Sequence, residues 1–518
     1  MTEEERQAPA PSRDDETRRA GRGLLLITAA KVVFIVSAYG VKVALPRVFA
    51  SEQVFGLFSV AFGAASMLNN VLIASTIQTV SKRVSEDDES APRTLRHGLV
   101  LQSTIGAVVG GALSLGAPLW ADLLLNPALT PLIRIAGVVV FAYALYATLV
   151  GYLNGQRRFR HQAGLDMTFS TLRTTGLIGG AAIGLGALGA MGGFAAASIA
   201  ILLVALATVG IGKGGGGLSV KSWLVLMAPI WFYQACINGI LQIDLQVLNR
   251  TITEIAIAGG MASEAATARA NEYAGHYNAA QTFAFVPYQL ILSVTFIVFP
   301  FVSRATTLGD EEATRRYIKN AMRFSLLVLL AIGAPIGGAA SGVMRIAYPE
   351  AYLVGADALG ILVFGQVAFA LFVIGATILT GAGRPMVAAL IALVSLAVVL
   401  VSTRLAIGWA GIDADESALA AAAIGTTIGT GLALLLVGLT VWRAFGAFLP
   451  VASAARGLVS GAVGFGAARW IPHDTALGAL LALAGGFAAF LIALFVTREL
   501  GKPELDALKA IVRRKKKG

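Results

Sequence analysis

Long apolar stretches recur along almost the whole chain. From Gly23 onward, runs of about 20 predominantly apolar residues follow one another, separated by short polar loops. An α-helix of this length crosses a hydrocarbon layer of about 30 Å, and we count about fourteen such stretches. Because backbone polar groups inside a bilayer must be hydrogen-bonded within the segment, the sequence predicts an all-α integral membrane protein.

The composition excludes an ordinary soluble protein and points away from metal chemistry. Only 13% of the 518 residues are charged and 57% are hydrophobic, whereas about a quarter of a soluble chain is charged. The single cysteine, Cys236, excludes an intrachain disulfide and a cysteine-based zinc site. The four histidines are too scattered for a zinc-binding motif. We therefore predict no metal site and no cofactor.

The net charge of +11 reflects membrane topology rather than nucleic-acid binding, because the basic residues lie between the apolar stretches. Lys and Arg are concentrated in alternate loops, such as Arg157, Arg158 and Arg160 after the fourth stretch. The loops between them carry few, such as Arg47 and Arg250. The positive-inside rule then predicts a multi-pass protein of the cytoplasmic (inner) membrane with both termini in the cytoplasm.

The spans are expected to form two six-helix lobes followed by a C-terminal helix pair. Span five must turn into span six near Gly184 to Gly193, and a run of four glycines after span six makes a flexible linker. The polar N-terminal tail is predicted to be disordered and has no signal-peptide core. The basic C-terminal tail is either an amphipathic segment on an anionic leaflet or a solvated tail. The predicted segments are the tail 1–22, the N-lobe 23–212, the linker 213–221, the C-lobe 222–442, the helix pair 443–497 and the tail 498–518.

Cations inside the spans are the first candidates for a functional site. Span one carries Lys31 and Lys42, which helical geometry places on nearly the same face, roughly 16 Å apart along the axis. Arg173 lies within span five and is expected to face the lumen. Charges inside a membrane are costly, so these residues suggest a path for an anion. The alternative for Lys42 is that it extends to the outer interface.

Amide side chains form a stripe along span seven. Gln234, Asn238, Gln242 and Gln246 recur every four residues and so share one helix face. Amides donate and accept hydrogen bonds, which suits sugar hydroxyls. The alternative is that they join neighbouring helices. In span two, Asn69 is a further candidate for substrate binding.

Asp244 falls roughly opposite this stripe. We expect it to pair with a cation on a neighbouring helix. The rival interpretation makes it the ion-coupling candidate, which would bind a coupling Na⁺ or H⁺.

Two further patterns concern the helices themselves. Pro287 within span eight is expected to break the helix where transporters often bend. Small residues one turn apart, such as Gly106 with Gly110 and Gly457 with Gly461, are typical of close helix packing.

Short loops favour a transporter over an enzyme. Membrane glycosyltransferases usually carry acidic catalytic residues in sizeable outer loops, whereas the first outer loop here offers only Glu52. The function should therefore lie within the helix bundle.

Three short motifs carry a family resemblance: GYLNGQRRFR after span four, YPEAYLVGADALGILVFGQ entering span ten, and ILTGAGRP at its exit. With the fourteen-span topology, they resemble the polysaccharide-flippase (O-antigen translocase-like) branch of the multidrug/oligosaccharidyl-lipid/polysaccharide exporter superfamily. The resemblance implies a V-shaped central cavity and translocation of a polyprenyl-diphosphate-linked oligosaccharide by alternating access. It makes Lys31, Lys42 and Arg173 contacts for the diphosphate. Membrane lipids are expected partners, and polysaccharide polymerases or glycosyltransferases are candidates.

Three rival functions stay open. A cation-coupled multidrug antiporter of the same superfamily would need acidic lumen residues, and the excess of cations argues against it. An integral-membrane glycosyltransferase or ligase would need outer carboxylates. A scaffold without transport would not need Lys31 or the amide stripe.

Overall fold

The computed structural model describes residues 32–87, 89–214, 219–412 and 415–499. These residues form α-helices joined by short turns and contain no β-strand. In chain order the helices are α1 Val32–Phe49, α2 Glu52–Glu86, α3 Ala91–Leu115, α4 Ala117–Leu123, α5 Leu129–Gly155, α6 Phe159–Gly180, α7 Gly186–Val209, α8 Val220–Ala258, α9 Ser263–Ala284, α10 Val286–Thr307, α11 Glu311–Gly338, α12 Ala340–Ala347, α13 Ala356–Gly381, α14 Pro385–Ala410, α15 Asp415–Phe445, α16 Val451–Trp470 and α17 Ala476–Val496.

The apolar stretches account for these helices. Twelve helical segments in the described part of the chain are long and apolar enough to cross a membrane. The prediction of an all-α membrane protein is therefore confirmed. One of the twelve, Phe159–Val209, consists of two helices, α6 and α7.

The turn between α6 and α7 lies at the predicted glycines. A π-helical turn over Ala181–Leu185 contains Gly184, whose φ is +85°, a value that L side chains rarely adopt. The two helices then pack backbone to backbone, because a β carbon at Gly176 would lie 2.4 Å from the carbonyl oxygen of Gly193. Only glycine allows this approach.

The predicted eighth span, from Tyr277 to Val302, is broken. α9 ends at Ala284 and α10 begins at Val286, with Pro287 in the first turn of α10. Proline is accepted in a first helical turn because its missing N–H would have no partner there. The expected break at this proline is confirmed, and it lies on the N-terminal side of Pro287.

The chain divides into two compact units. Of the described residues, unit 1 contains those up to Ala44, those of Leu68–Ala117 and those of Pro131–Ile230. Its helices α3 and α5 meet at small residues: a β carbon at Gly110 would lie 2.4 Å from the carbonyl oxygen of Gly137. The expected packing role of Gly106 and Gly110 is confirmed.

Unit 2 contains Leu45–Met67, Pro118–Thr130 and the described residues from Trp231 onward. Its central helix is α13, which contacts α9, α10, α11, α14 and α15 and is buried along most of its length. α16 packs on α11, with the β-carbon positions of Gly457 and Gly461 3.3 and 3.5 Å from leucine side chains of α11. Their expected packing role is also confirmed.

Candidate functional site

Arg173 lies against aromatic rings within unit 1. Its guanidinium carbon is 4.3 Å from the ring centroid of Phe34 on α1 and 5.9 Å from that of Phe169 on α6. Phe169 precedes Arg173 by four residues, so helical spacing puts the two side chains on the same face of α6. A cation over an aromatic face is attracted by the negative potential of the ring.

Lys42 lies beside Arg173. It follows Phe34 on α1 by about two helical turns and is half-buried. The Lys42 ammonium and the Arg173 guanidinium are close enough for their charges to repel each other. The structure thus brings together two cations that the sequence analysis selected independently.

Tyr143 on α5 completes this cluster. Its buried ring meets Phe169 edge to face, with 5.2 Å between centroids, and its hydroxyl interacts electrostatically with Arg173. We call the five residues the cationic–aromatic site: Phe34, Lys42, Tyr143, Phe169 and Arg173.

Asp166 lies on the same helix as Arg173 but has a different neighbour. The hydroxyl of Tyr146 donates a hydrogen bond of 3.5 Å to its Oδ1. The Tyr146 ring packs against Phe169, with 5.7 Å between centroids. Tyr146 therefore connects Asp166 to Phe169, one of the aromatic residues of the site.

The charge of the site is uncompensated at Arg173. Its Nε is buried and has no hydrogen-bond partner, and no carboxylate among the described residues forms an ion pair with the guanidinium. Like charges within membrane-spanning helices repel each other more in a low dielectric than in water. An anionic ligand would relieve this repulsion.

The amide stripe of α8 divides into two pairs, both in unit 2. In the first pair, the Asn238 Nδ2 donates to the Gln234 backbone oxygen at 2.9 Å and to its Oε1 at 3.4 Å. In the second, the Gln246 Nε2 donates to the backbone oxygen of Val60 on α2 at 2.9 Å. Gln242 lies at the same helix crossing, because its Oε1 is 2.9 Å from the position that a β carbon of Gly63 would occupy.

This division bears on the two interpretations of the stripe. Gln246 is buried and joins α8 to α2 by a hydrogen bond. This contact matches the alternative interpretation, in which the amides join neighbouring helices. Gln234 and Gln242 are half-buried. Contact of the stripe with substrate stays a prediction.

Asp244 is surrounded by neutral hydrogen-bond donors rather than by the expected cation. Its Oδ2 accepts from the hydroxyls of Tyr277, at 2.9 Å, and Thr426, at 3.0 Å. Its Oδ1 accepts from the Gln281 Nε2 at 2.9 Å and from the Leu245 backbone N–H at 2.8 Å. These four donors from α8, α9 and α15 satisfy the carboxylate oxygens, so no cationic partner is needed.

Two candidates are not joined to the cationic–aromatic site. Lys31 lies outside the described residues. Asn69 on α2 is buried, and its Oδ1 has no hydrogen-bond partner among the described residues. Its role in binding substrate also stays a prediction.

Comparison with known proteins identifies the family. Residues 20–306 match the family described as polysaccharide biosynthesis protein. The chain belongs to this polysaccharide biosynthesis family. No curated protein matches the sequence significantly.

Solved structures share the fold of this polysaccharide biosynthesis protein at low sequence identity. The lipid II flippase MurJ in an inward closed conformation is 13% identical, with a TM-score of 0.71 over 92% of this chain and 99% of MurJ. An inward-facing multidrug resistance MATE family transporter of the MOP superfamily is 14% identical, with a TM-score of 0.62 over 82% and 98% of the two chains. A MOP superfamily transporter from Pyrococcus furiosus is 15% identical, with a TM-score of 0.58 over 82% and 96%. The protein is thus a multi-pass membrane protein with a transporter fold.

The aromatic residues of the site were missed by sequence reasoning. Tyr143 and Tyr146 stand three residues apart in a mostly aliphatic stretch, and buried tyrosines usually need a hydrogen-bond partner. This requirement was the one signal in the sequence that polar partners lie near Tyr143 and Tyr146. It could not show that the partners would be Asp166 and the Arg173 region.

Proposed function

We propose that this protein is a flippase that translocates a polyprenyl-diphosphate-linked oligosaccharide across the cytoplasmic membrane by alternating access, for cell-surface polysaccharide synthesis. The observation that carries the proposal is that Lys42 lies within electrostatic range of Arg173, whose guanidinium lies over the Phe34 ring, inside membrane-spanning helices. Membership in the polysaccharide biosynthesis family and the fold shared with MOP transporters support it.

The chemistry of the substrate matches this pair. A diphosphate carries adjacent negative charges that are very costly to move into a low dielectric without compensating cations. The guanidinium of Arg173 offers a planar fork suited to phosphate oxygens, and Lys42 adds a second charge. The aromatic rings of Phe34 and Phe169 hold the guanidinium in place, and its Nε makes no hydrogen bond to another residue.

The other parts of the substrate need different surroundings. The lipid chain can remain in the bilayer, because it is as apolar as the membrane core. The sugars need hydrogen-bonding groups, for which Gln234, Asn238 and Asn69 remain our candidates. Lys31 remains a candidate for the diphosphate path.

The test is translocation of a fluorescent polyprenyl-diphosphate oligosaccharide in proteoliposomes containing the full chain. We expect the initial rate to fall by about a hundredfold in the double variant Lys42→Gln/Arg173→Gln, because two charge-assisted contacts are lost. The matched control is Lys82→Gln/Arg93→Gln, which removes two exposed charges of unit 1 outside the site and should transport at the normal rate.

Folding of each variant is checked by its unfolding temperature and by gel filtration. Normal transport by a folded Lys42→Gln/Arg173→Gln protein would overturn the assignment of the site. Absence of lipid-linked sugar transport in the wild type, with efflux of a cationic dye from the same vesicles, would favour the multidrug antiporter.

For ion coupling, Asp244 is our candidate, because its carboxylate is buried between three helices. In proteoliposomes with an imposed Na⁺ or H⁺ gradient, Asp244→Asn should remove the gradient dependence and leave substrate binding intact. If transport in the wild type does not depend on either gradient, Asp244 has no coupling role.

A further inference from the structure

A cavity of 830 Å³ lies in unit 2 where two interhelical loops meet. One wall comes from the end of α10 and the start of α11, including Asp310, Glu311 and Arg315. The other comes from the end of α15, including Trp442 and Arg443. The topology predicted from loop charges puts both loops on the cytoplasmic side. The volume is within the range of small-molecule binding sites.

The acidic groups of this cavity already have partners. The Asp310 Oδ1 accepts a hydrogen bond of 2.9 Å from the Ala313 backbone N–H, and so caps α11. The Glu311 carboxylate forms an ion pair of 3.1 Å with the Arg315 guanidinium. These local contacts leave each acid little need for a further ligand.

Arg443 differs from the acids. It is exposed, it lines the cavity, and among the described residues it has no ion-pair partner. Arg315 is held across the cavity by a hydrogen bond of 3.0 Å from its Nε to the Phe445 backbone oxygen. The cavity is therefore lined by the guanidinium of Arg443, which has no ion-pair partner among the described residues, and by that of Arg315, whose orientation is set by its hydrogen bond to Phe445.

Apolar side chains lead from the bilayer into this cavity. Leu435, Leu439 and Trp442 lie on one face of α15 and are 71%, 44% and 58% exposed. Leu308, beside the opposite wall, is 70% exposed. Tryptophan at the end of a span is typical of the membrane interface. A free phosphate would make no use of this apolar stripe, whereas the acyl chains of a lipid would cover it.

We propose that this cavity binds the phosphate headgroup of an anionic phospholipid from the inner leaflet, with Arg443 and Arg315 on the phosphate and the acyl chains along Leu435, Leu439 and Trp442. Guanidinium groups bind phosphate oxygens through paired, charge-assisted hydrogen bonds. Basic pockets between membrane helices on the cytoplasmic side are known to hold acidic headgroups. The bound lipid would tie the α10–α11 loop to the α15–α16 loop and stabilise unit 2. The site is separate from the cationic–aromatic site, so it stands whether or not the proposed transport activity does.

The experiment compares lipids that differ only in the headgroup. The detergent-solubilised full chain is titrated with phosphatidylglycerol or with phosphatidylcholine of the same acyl chains, and the lipid retained is measured by native mass spectrometry beside the unfolding temperature. We expect the wild type to retain phosphatidylglycerol preferentially and to unfold at a higher temperature with it. Arg443→Gln should weaken phosphatidylglycerol binding by about tenfold, since one charge-assisted contact is lost.

The matched control is Arg316→Gln, which removes the neighbouring exposed guanidinium on α11 that does not line the cavity. It should bind phosphatidylglycerol as the wild type does. If Arg443→Gln folds poorly in phosphatidylcholine, Arg315→Gln is the second variant and should show the same loss of preference.

Two results would overturn the proposal. One is an unchanged preference for phosphatidylglycerol in both Arg443→Gln and Arg315→Gln. The other is an equal rise in unfolding temperature with inorganic phosphate alone, which would make the ligand a free anion rather than a lipid.

Discussion

The backbone of Gly56 on α2 touches the backbone of Asn271 on α9: a β carbon at residue 56 would lie 1.6 Å from the Asn271 carbonyl oxygen. At the same crossing, a β carbon at Gly275 would lie 2.6 Å from the Glu52 carbonyl oxygen. Both helices thus use glycine where they meet, and the contact lies wholly within unit 2. Small residues at such a crossing allow close packing in the absence of a hydrophobic driving force between helices.

Gly56→Ala should therefore destabilise the protein. The new methyl group cannot fit unless α2 and α9 separate, and overpacking of this kind costs about 1–3 kcal/mol or more. We expect a lower unfolding temperature for the solubilised protein. The control is Gly111→Ala on α3, where a β carbon would meet nothing within 4 Å; it should be neutral or slightly stabilising because alanine favours helix. Equal behaviour of the two variants would contradict the contact.

Asn271 also organises a buried group of amides. Its Oδ1 accepts hydrogen bonds from the Nδ2 of Asn126, at 2.8 Å, and from that of Asn249, at 3.1 Å. Asn271→Ala leaves both donors buried without an acceptor, and each unsatisfied group costs about 1–3 kcal/mol. We expect a large fall in unfolding temperature, compared with little change for Asn320→Ala at an exposed amide of α11. A small effect of Asn271→Ala would show that the amides find other partners.

The sequence predicts the helices of this protein much better than its site. Apolar length sets the spans, and the helix breaks at Gly184 and before Pro287 follow from single residues whose backbone chemistry is restrictive. These are local effects, so they can be read from neighbouring residues.

The site depends on contacts between distant segments. Lys42 and Arg173 could each be recognised as a costly cation, but their proximity requires α1 and α6 to pack together. Helical periodicity places Asp244 off the amide stripe, yet it cannot reveal that Thr426, far along the chain, donates to it. Periodicity describes one helix, whereas partners depend on how helices associate.

The guanidinium of Arg173 should matter for more than its charge. Arg173→Lys keeps the charge but loses the planar fork and the stacking on Phe34. We expect its translocation rate to fall by about tenfold, between those of the wild type and Arg173→Gln. The measurement is the initial rate in proteoliposomes, with Arg157→Lys at an exposed position as the control. A wild-type rate for Arg173→Lys would mean that charge alone is used.

Glu499 follows the C-terminal end of α17 and forms ion pairs with two arginines. Its side chain is 1% exposed, and it accepts from the Arg323 Nε at 2.6 Å and from the Arg456 Nη1 at 3.4 Å. This network joins the end of α17 to α11 and α16. The Arg456 guanidinium therefore has a carboxylate partner within unit 2.

Glu499→Ala should cost roughly 2–3 kcal/mol, less than for a fully buried pair because Arg456 is 46% exposed. The measurement is equilibrium unfolding in mixed micelles, with Glu312→Ala, an exposed acid of α11, as the control. Because Arg323 and Glu499 share one interaction, the double variant Arg323→Ala/Glu499→Ala should lose less stability than the sum of the single variants. Additive losses would show that the two side chains stabilise the fold independently and would contradict the ion pair as a source of stability.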